Sequence, residues 1–136
     1  MASYKISDIE GIGPVYAQKL QNANIRSVDA LLQRCCTRQG RKEVAATTGI
    51  DESTLLKWTN IADLFRITGI GSEYSELLEK AGVDSVKELR NRKPENLHAK
   101  LIETNSNFNL VRQLPSLGLV ESWVEQAKNL EPMITY

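Results

Sequence analysis

The sequence has no excess charge of either sign and few of the residues that enzymes use for chemistry. Its 136 residues include 17 basic and 17 acidic side chains but only one histidine, His98, which has no second ligand at metal-binding spacing. The scattered acids form no pair suited to acid–base catalysis, and neither a phosphate loop nor a dinucleotide fingerprint is present. We therefore expect a protein that is not an enzyme and that holds no cofactor and no metal.

Aromatic residues, long apolar runs and separated cysteines are also scarce. Only 6% of residues are aromatic, and no alternating run rich in Val, Ile and Thr predicts a strand, so an all-α fold is expected. No apolar run approaches the length of a membrane span, and no signal peptide opens the chain. The two cysteines, Cys35 and Cys36, are adjacent, and a ring closed between neighbours would distort the peptide. We expect reduced thiols and a cytoplasmic protein, with a vicinal redox pair as the alternative.

A short glycine turn occurs twice, 58 residues apart, as Gly11-Ile12-Gly13 and Gly69-Ile70-Gly71. The similarity continues without a gap through the next 18 residues, from Leu20 and Leu78 to Leu31 and Leu89. Apolar stripes that contain Trp58 and Trp123 extend it further. We therefore predict two fused repeats, 1–66 and 67–136, that pack as one pseudo-twofold helical domain over residues 1–136.

The residues of these turns are suited to holding a phosphate. Glycine tolerates a positive φ, so a Gly-x-Gly segment lets one helix end and the next begin within three residues. The apolar residue between the glycines can point inward, while the amides at the start of the next helix face outward and attract an anion. Both turns resemble the helix-hairpin-helix motif, and that resemblance implies that the hairpin amides hold a nucleic-acid phosphate without reading base sequence.

Charge distinguishes the two hairpins. In the motif, the second residue after the turn is commonly Lys or Arg, but here it is Val15 in the first copy and Glu73 in the second. A carboxylate in the first helical turn repels a phosphate, so we expect Gly69, Ile70 and Gly71 to be purely structural. The first hairpin, formed by Gly11, Ile12 and Gly13, has Lys19 and Arg26 nearby and no acid between Gly11 and Arg26. It is the better phosphate candidate, and a tight turn that only packs helices is the alternative.

A second group of basic residues follows the first hairpin. The polar stretch 37–42 is predicted as a break around Gly40, and no acid interrupts the group before Glu43. If nucleic acid binds, this group and the first hairpin form the predicted site; the alternative is a solvated loop. The group consists of Arg34, Arg38, Arg41 and Lys42.

Helix signals place the remaining elements. Pro14, Ser27 and Ser116 are expected to begin helices, Gly49 and Gly82 to end them, and residues 105–109 to form a loop. The two tryptophans lie on matched apolar stripes, which favours core packing over base stacking. Tyr16 and Tyr74 are predicted to be buried rings whose hydroxyls reach a partner.

Across its whole length the sequence resembles a bacterial family, the domain of unknown function numbered 4332. The resemblance rests on several segments, namely Gly40-Arg41-Lys42-Glu43, Gly49-Ile50, Trp58 with Ala62-Asp63-Leu64, Gly69-Ile70-Gly71 with Tyr74, Pro94-Glu95-Asn96-Leu97 and Ile134-Thr135-Tyr136. It implies the double-hairpin fold and a cytosolic bacterial setting, and it implies no activity.

Two functions follow as hypotheses. The first is a non-catalytic helix-hairpin-helix module that binds a DNA or RNA backbone weakly and without sequence preference. It is favoured by the excess of positive charge in residues 1–66, which have 9 basic and 7 acidic side chains against 8 and 10 in residues 67–136. The second is a protein–protein adaptor that keeps the hairpins as scaffold, which the zero net charge and Glu73 favour. Neither hypothesis involves a membrane.

Overall fold

The computed structural model describes residues 4–136 and shows an all-helical chain there, with eight α-helices, a short 3-10 helix at Ile6–Asp8 and no β-strand. The all-α prediction is therefore confirmed. The single-domain prediction, 1–136, includes three residues that lie outside the described range. The α-helices are α1 (Pro14–Asn22), α2 (Val28–Cys35), α3 (Arg38–Thr48), α4 (Glu52–Leu64), α5 (Ser72–Lys80), α6 (Val86–Arg90), α7 (Pro94–Phe108) and α8 (Leu117–Asn129).

Local signals explain most helix boundaries. Pro14 is the first residue of α1, where its missing N–H costs no hydrogen bond. Ser27 and Ser116 accept hydrogen bonds of 3.0 and 3.1 Å from backbone N–H groups in the first turns of α2 and α8. Gly49 ends α3 with a φ of +77°, a conformation that glycine adopts without strain. These predictions of helix starts and stops are confirmed.

The chain divides into two compact units. One unit reaches to Asp63 and also includes Pro132–Tyr136, and the other spans Leu64–Glu131. The second unit has its own apolar cluster, in which Leu77, Leu101 and Trp123 have no exposed surface. The pseudo-twofold packing of two repeats stays a prediction.

Two segments predicted to lack regular structure are helical. Residues 38–42 begin α3, since the Thr37 hydroxyl accepts the Gly40 N–H at 3.0 Å and caps the helix. Gly40 therefore does not mark a break. A Cβ at this position would overlap the carbonyl oxygen of Arg34, so glycine is needed where α3 passes close to the end of α2.

The predicted loop at residues 105–109 is the last turn of α7. Asn109 ends the helix in the left-handed conformation, with a φ of +49°. The Asn105 side chain then accepts hydrogen bonds of 2.8 and 3.0 Å from the backbone N–H groups of Leu110 and Val111. The run of asparagine and serine is therefore the end of α7 and not a separate loop, because these side chains bond the backbone at a helix end.

Within residues 4–136, no helix has the combination of length and apolar character that crossing a membrane requires.

Candidate nucleic-acid interface

The first hairpin presents the start of α1 to solvent. Gly11 has a φ of +96°, and Ile12 is 4% exposed, so the apolar residue points into the unit as predicted. Gly13 is the exposed N-cap of α1 and provides no side-chain cap. The first turn of α1 contains no acid, and Val15 there is 69% exposed. The amides at this helix start therefore have no carboxylate beside them in the first turn.

One lysine lies on the same helix, in its last turn. Lys19 is exposed on α1, and its Nζ lies 5.9 Å from the centre of the Tyr16 ring. That distance is at the limit of a cation–π contact and leaves the ammonium in water. Arg26 is also exposed, in the segment between α1 and α2, and its carbonyl accepts the Ile6 N–H at 3.4 Å. Of the two, Lys19 is carried by the helix whose first amides form the candidate site.

The second hairpin is held more firmly and carries a negative charge. Gly69 has a φ of +99°, and Ile70 is 1% exposed. The Gln126 side chain brackets the peptide of Thr68, accepting its N–H at 2.9 Å and donating to its carbonyl at 3.2 Å. Glu73 lies exposed in the first turn of α5. A carboxylate at a helix start occupies the place where an anion is attracted, which supports a structural role for this turn.

A tryptophan lies beneath each hairpin. Trp58 and Trp123 are 3% and 0% exposed, so the prediction of core packing is confirmed. A Cβ on Gly11 would lie 3.5 Å from Trp58 Nε1, and one on Gly69 would lie 3.0 Å from Trp123 Nε1. Glycine therefore allows the second turn to lie directly on an indole edge, whereas a Cβ at Gly11 would make only an ordinary contact with Trp58. Trp123 Nε1 is buried with no hydrogen-bond acceptor among the described residues.

The two matched tyrosines differ in exposure. Tyr74 packs at 5.3 Å from the Trp123 ring and donates its hydroxyl to the Gln113 carbonyl at 2.9 Å. Tyr16 packs edge-on at 5.1 Å from the Trp58 ring but is 41% exposed. The prediction of a buried ring is therefore wrong for Tyr16. Its exposed face lies in the same helical turn as Val15, and together they give the first hairpin an apolar border.

The second group of basic residues, predicted to follow the first hairpin, does not form one surface. Its members are Arg34, Arg38, Arg41 and Lys42. Arg38 and Lys42 are exposed neighbours, four residues apart on α3. Arg34 is exposed, but its Nη1 donates to the Ala23 carbonyl at 3.1 Å, in the turn that follows α1. Arg92 makes a similar bond at 3.3 Å in the second unit, to the carbonyl of Gly82, one residue beyond the equivalent position, which supports a structural use of Arg34.

Arg41 does not belong to the surface. It is 3% exposed, and it donates hydrogen bonds to the carbonyls of Cys35 at 3.0 Å and Thr135 at 2.7 Å. The sequence placed Arg41 in the candidate nucleic-acid site or, alternatively, in a solvated loop, and both predictions of exposure are wrong because its bonding partner lies 94 residues further along the chain. Of the predicted site residues, Gly11, Ile12 and Gly13 form the first turn, and Lys19 lies on the helix that follows it.

Reactive groups are few in the described part of the chain. No group of three or more metal-ligand side chains occurs within residues 4–136. Cys35 is a buried free thiol. Burial raises the pKa of Cys35 from 9.0 to about 11, against the opposing effects of a hydrogen bond with Thr59 and the charges of Arg34 and Arg41. A protonated, enclosed thiol of this kind is unreactive.

Comparison with known proteins places the chain in a family without assigning it an activity. A search of curated proteins and a search of solved structures returned no match. A family model described as "Domain of unknown function (DUF4332)" matches residues 10–130, and the chain therefore belongs to that family.

Proposed function

We propose that this protein is a non-catalytic helix-hairpin-helix module that binds a nucleic-acid backbone weakly and without sequence preference at its first hairpin. The observation that carries the proposal is the exposed start of α1, with a glycine N-cap, no acid in the first turn and Lys19 on the same helix. Amides at such a helix start attract one phosphate, and the lysine adds a mobile positive charge.

Weak binding follows from the small number of cations at the site. The affinity of a protein for nucleic acid depends mainly on how many phosphates its Lys and Arg side chains neutralise. Here one lysine lies on the hairpin helix, Arg26 follows that helix, and Arg38 and Lys42 lie on α3. The net charge of the whole chain is zero, so long-range attraction of a polyanion is small.

The test is a titration of the full chain against short single-stranded and double-stranded DNA and RNA at a low and a moderate salt concentration. We expect measurable affinity that falls with salt and does not depend on base sequence. Lys19→Gln should weaken binding and reduce the slope of log K against log salt by about one. Lys128→Gln, an exposed lysine on α8, is the matched control and should change neither. Absence of binding at the lower salt concentration would refute the proposal.

A second candidate function is a protein–protein adaptor, which the exposed Val15 and Tyr16 favour. Both belong to the first turn of α1, and they are 69% and 41% exposed. An apolar side chain and an aromatic ring beside a helix start suit a protein contact, because interface centres favour aromatic residues over charged ones. If the titration shows no nucleic-acid binding, Val15→Ser should weaken the capture of a protein partner, and Gln21→Ser on the same helix should not.

We place either activity in the bacterial cytoplasm. The free thiols of Cys35 and Cys36 support a reducing compartment.

A further inference from the structure

The last five residues of the chain are held against the first unit by their main chain. The Thr135 N–H donates to the Cys36 carbonyl at 2.8 Å, and the Thr135 carbonyl accepts from Arg41 Nη2 at 2.7 Å. The Tyr136 hydroxyl donates to Asn60 Oδ1 at 3.2 Å. We call the surface formed by Cys36, Arg41 and Asn60 the tail site. It binds both backbone polar groups of one residue and one side-chain hydroxyl.

The tail site contains polar groups that need hydrogen-bond partners. Cys35 is the last residue of α2 and Cys36 caps it, so their carbonyls lack helical partners and carry the negative end of the helix dipole. Arg41 satisfies the Cys35 carbonyl, and Thr135 satisfies the Cys36 carbonyl. With the tail removed, the Arg41 guanidinium would lose one of its two protein acceptors and the Cys36 carbonyl would lose its donor. Hydrogen bonds to charged groups are stronger than neutral ones, so an empty tail site would favour a group with the same bonding pattern.

The tail site selects its occupant by backbone and not by side chain. Thr135 is exposed, Tyr136 is 63% exposed, and the side chains of Met133 and Ile134 are only partly buried. The N–H and carbonyl of residue 135 form the two shortest of the three hydrogen bonds at the tail site. Every non-proline residue possesses both of these groups. The main-chain groups of an extended peptide can therefore provide the affinity, here through a helix-end carbonyl and the Arg41 side chain.

We infer that the tail site is a peptide-binding site that residues 132–136 occupy within the chain, and that it takes an extended peptide segment from a partner protein when this tail is displaced. The tail is tethered, so it competes at a high effective concentration and keeps the site closed to weak ligands. A partner segment must offer a free N–H and a carbonyl at one residue, and a hydroxyl donor at the next residue adds the longer bond to Asn60. This inference does not depend on nucleic-acid binding.

The test uses the full chain and a labelled synthetic peptide of residues 129–136, Asn-Leu-Glu-Pro-Met-Ile-Thr-Tyr. In the chain, Thr135→Pro removes the N–H that Cys36 accepts and so weakens the tethered tail. The peptide should bind the Thr135→Pro chain at least about tenfold more tightly than the unaltered chain, because the tethered competitor has been weakened. Circular dichroism checks that this variant is folded. If it is not folded, Tyr136→Phe, which removes only the hydroxyl bond to Asn60, replaces it, with a smaller expected gain.

Two controls decide whether the peptide enters the tail site. Adding Arg41→Met to the Thr135→Pro chain should abolish the gain, since it removes the guanidinium donor and keeps an apolar side chain of similar length. A peptide that itself carries Thr135→Pro should show no gain, since it lacks the N–H. The inference is overturned if the peptide binds the weakened chain no more tightly than the unaltered chain, or if either control binds as well as the intact pair.

Discussion

The buried guanidinium of Arg41 donates a 2.7 Å hydrogen bond to the backbone carbonyl of Thr135, which lies 94 residues later in the chain. A second bond, to Cys35, ties the same side chain to the end of α2. Arg41 thus connects two helices of the first unit with the chain's final segment. It has this role because α3 begins at Arg38, so that residue 41 faces inward while residues 38 and 42 face solvent.

Arg41→Ala should lower the free energy of unfolding by about 2–3 kcal/mol, because two carbonyls lose a charged hydrogen-bond donor in a buried place. Arg38→Ala, on the exposed face of the same helix, is the control and should change stability by less than about 0.5 kcal/mol. Urea denaturation followed by circular dichroism measures both. Equal stabilities of the two variants would contradict the structural role of Arg41.

Gly40→Ala should destabilise the protein by about 3 kcal/mol, because the added Cβ would overlap the Arg34 carbonyl and force α2 and α3 apart. The matched control is Gly118→Ala, another helical glycine, whose Cβ would meet nothing closer than Ser116 Oγ at 3.9 Å. That change should stabilise α8 by about 0.5–1 kcal/mol, since alanine loses less backbone entropy in a helix. Thermal denaturation of the two variants should therefore shift in opposite directions.

Changing the charge in the first helical turn after each hairpin should change nucleic-acid affinity in opposite directions. Val15→Glu places a carboxylate in the first turn of α1 and should reduce nucleic-acid affinity by about five- to tenfold at low salt, through repulsion at the phosphate position. Glu73→Val removes the carboxylate from the first turn of α5 and should increase affinity by a similar factor. The titration described above measures both. A loss of affinity in Glu73→Val would contradict the prediction that the Glu73 carboxylate repels nucleic acid at the second hairpin.

The raised pKa of Cys35 should make stability fall at alkaline pH. Below pH 9 the thiol is protonated in the folded and the unfolded chain, so it adds no pH dependence there. Between pH 9 and about 11 the thiol ionises in the unfolded chain but stays protonated when buried, which favours unfolding by up to about 2–3 kcal/mol. Cys35→Ala should lack this part of the decline between pH 9 and about pH 11, and Cys36→Ala should keep it, as urea titrations at each pH will show.

Local chemistry made much of the fold predictable. Pro14, Ser27 and Gly49 act on backbone groups within a few residues of themselves, so the helix ends that they predict agree with the structure. The same reasoning failed at Gly40 and Asn105, because glycine and asparagine are read as loop residues unless their neighbours in space are known. Gly40 fits against a carbonyl of another helix, and Asn105 bonds the segment that follows its own helix.

The amino-acid sequence by itself determined the two glycine turns, their inward isoleucines and the tryptophan stripes, since each depends on residue type and on helical spacing alone. It also determined which hairpin carries Glu73. Only the tertiary structure decided that Tyr16 is exposed, that Arg41 is buried and that Thr135 returns to the end of α2. These outcomes depend on partners far away in sequence, and no local pattern encodes which distant carbonyl a guanidinium will meet.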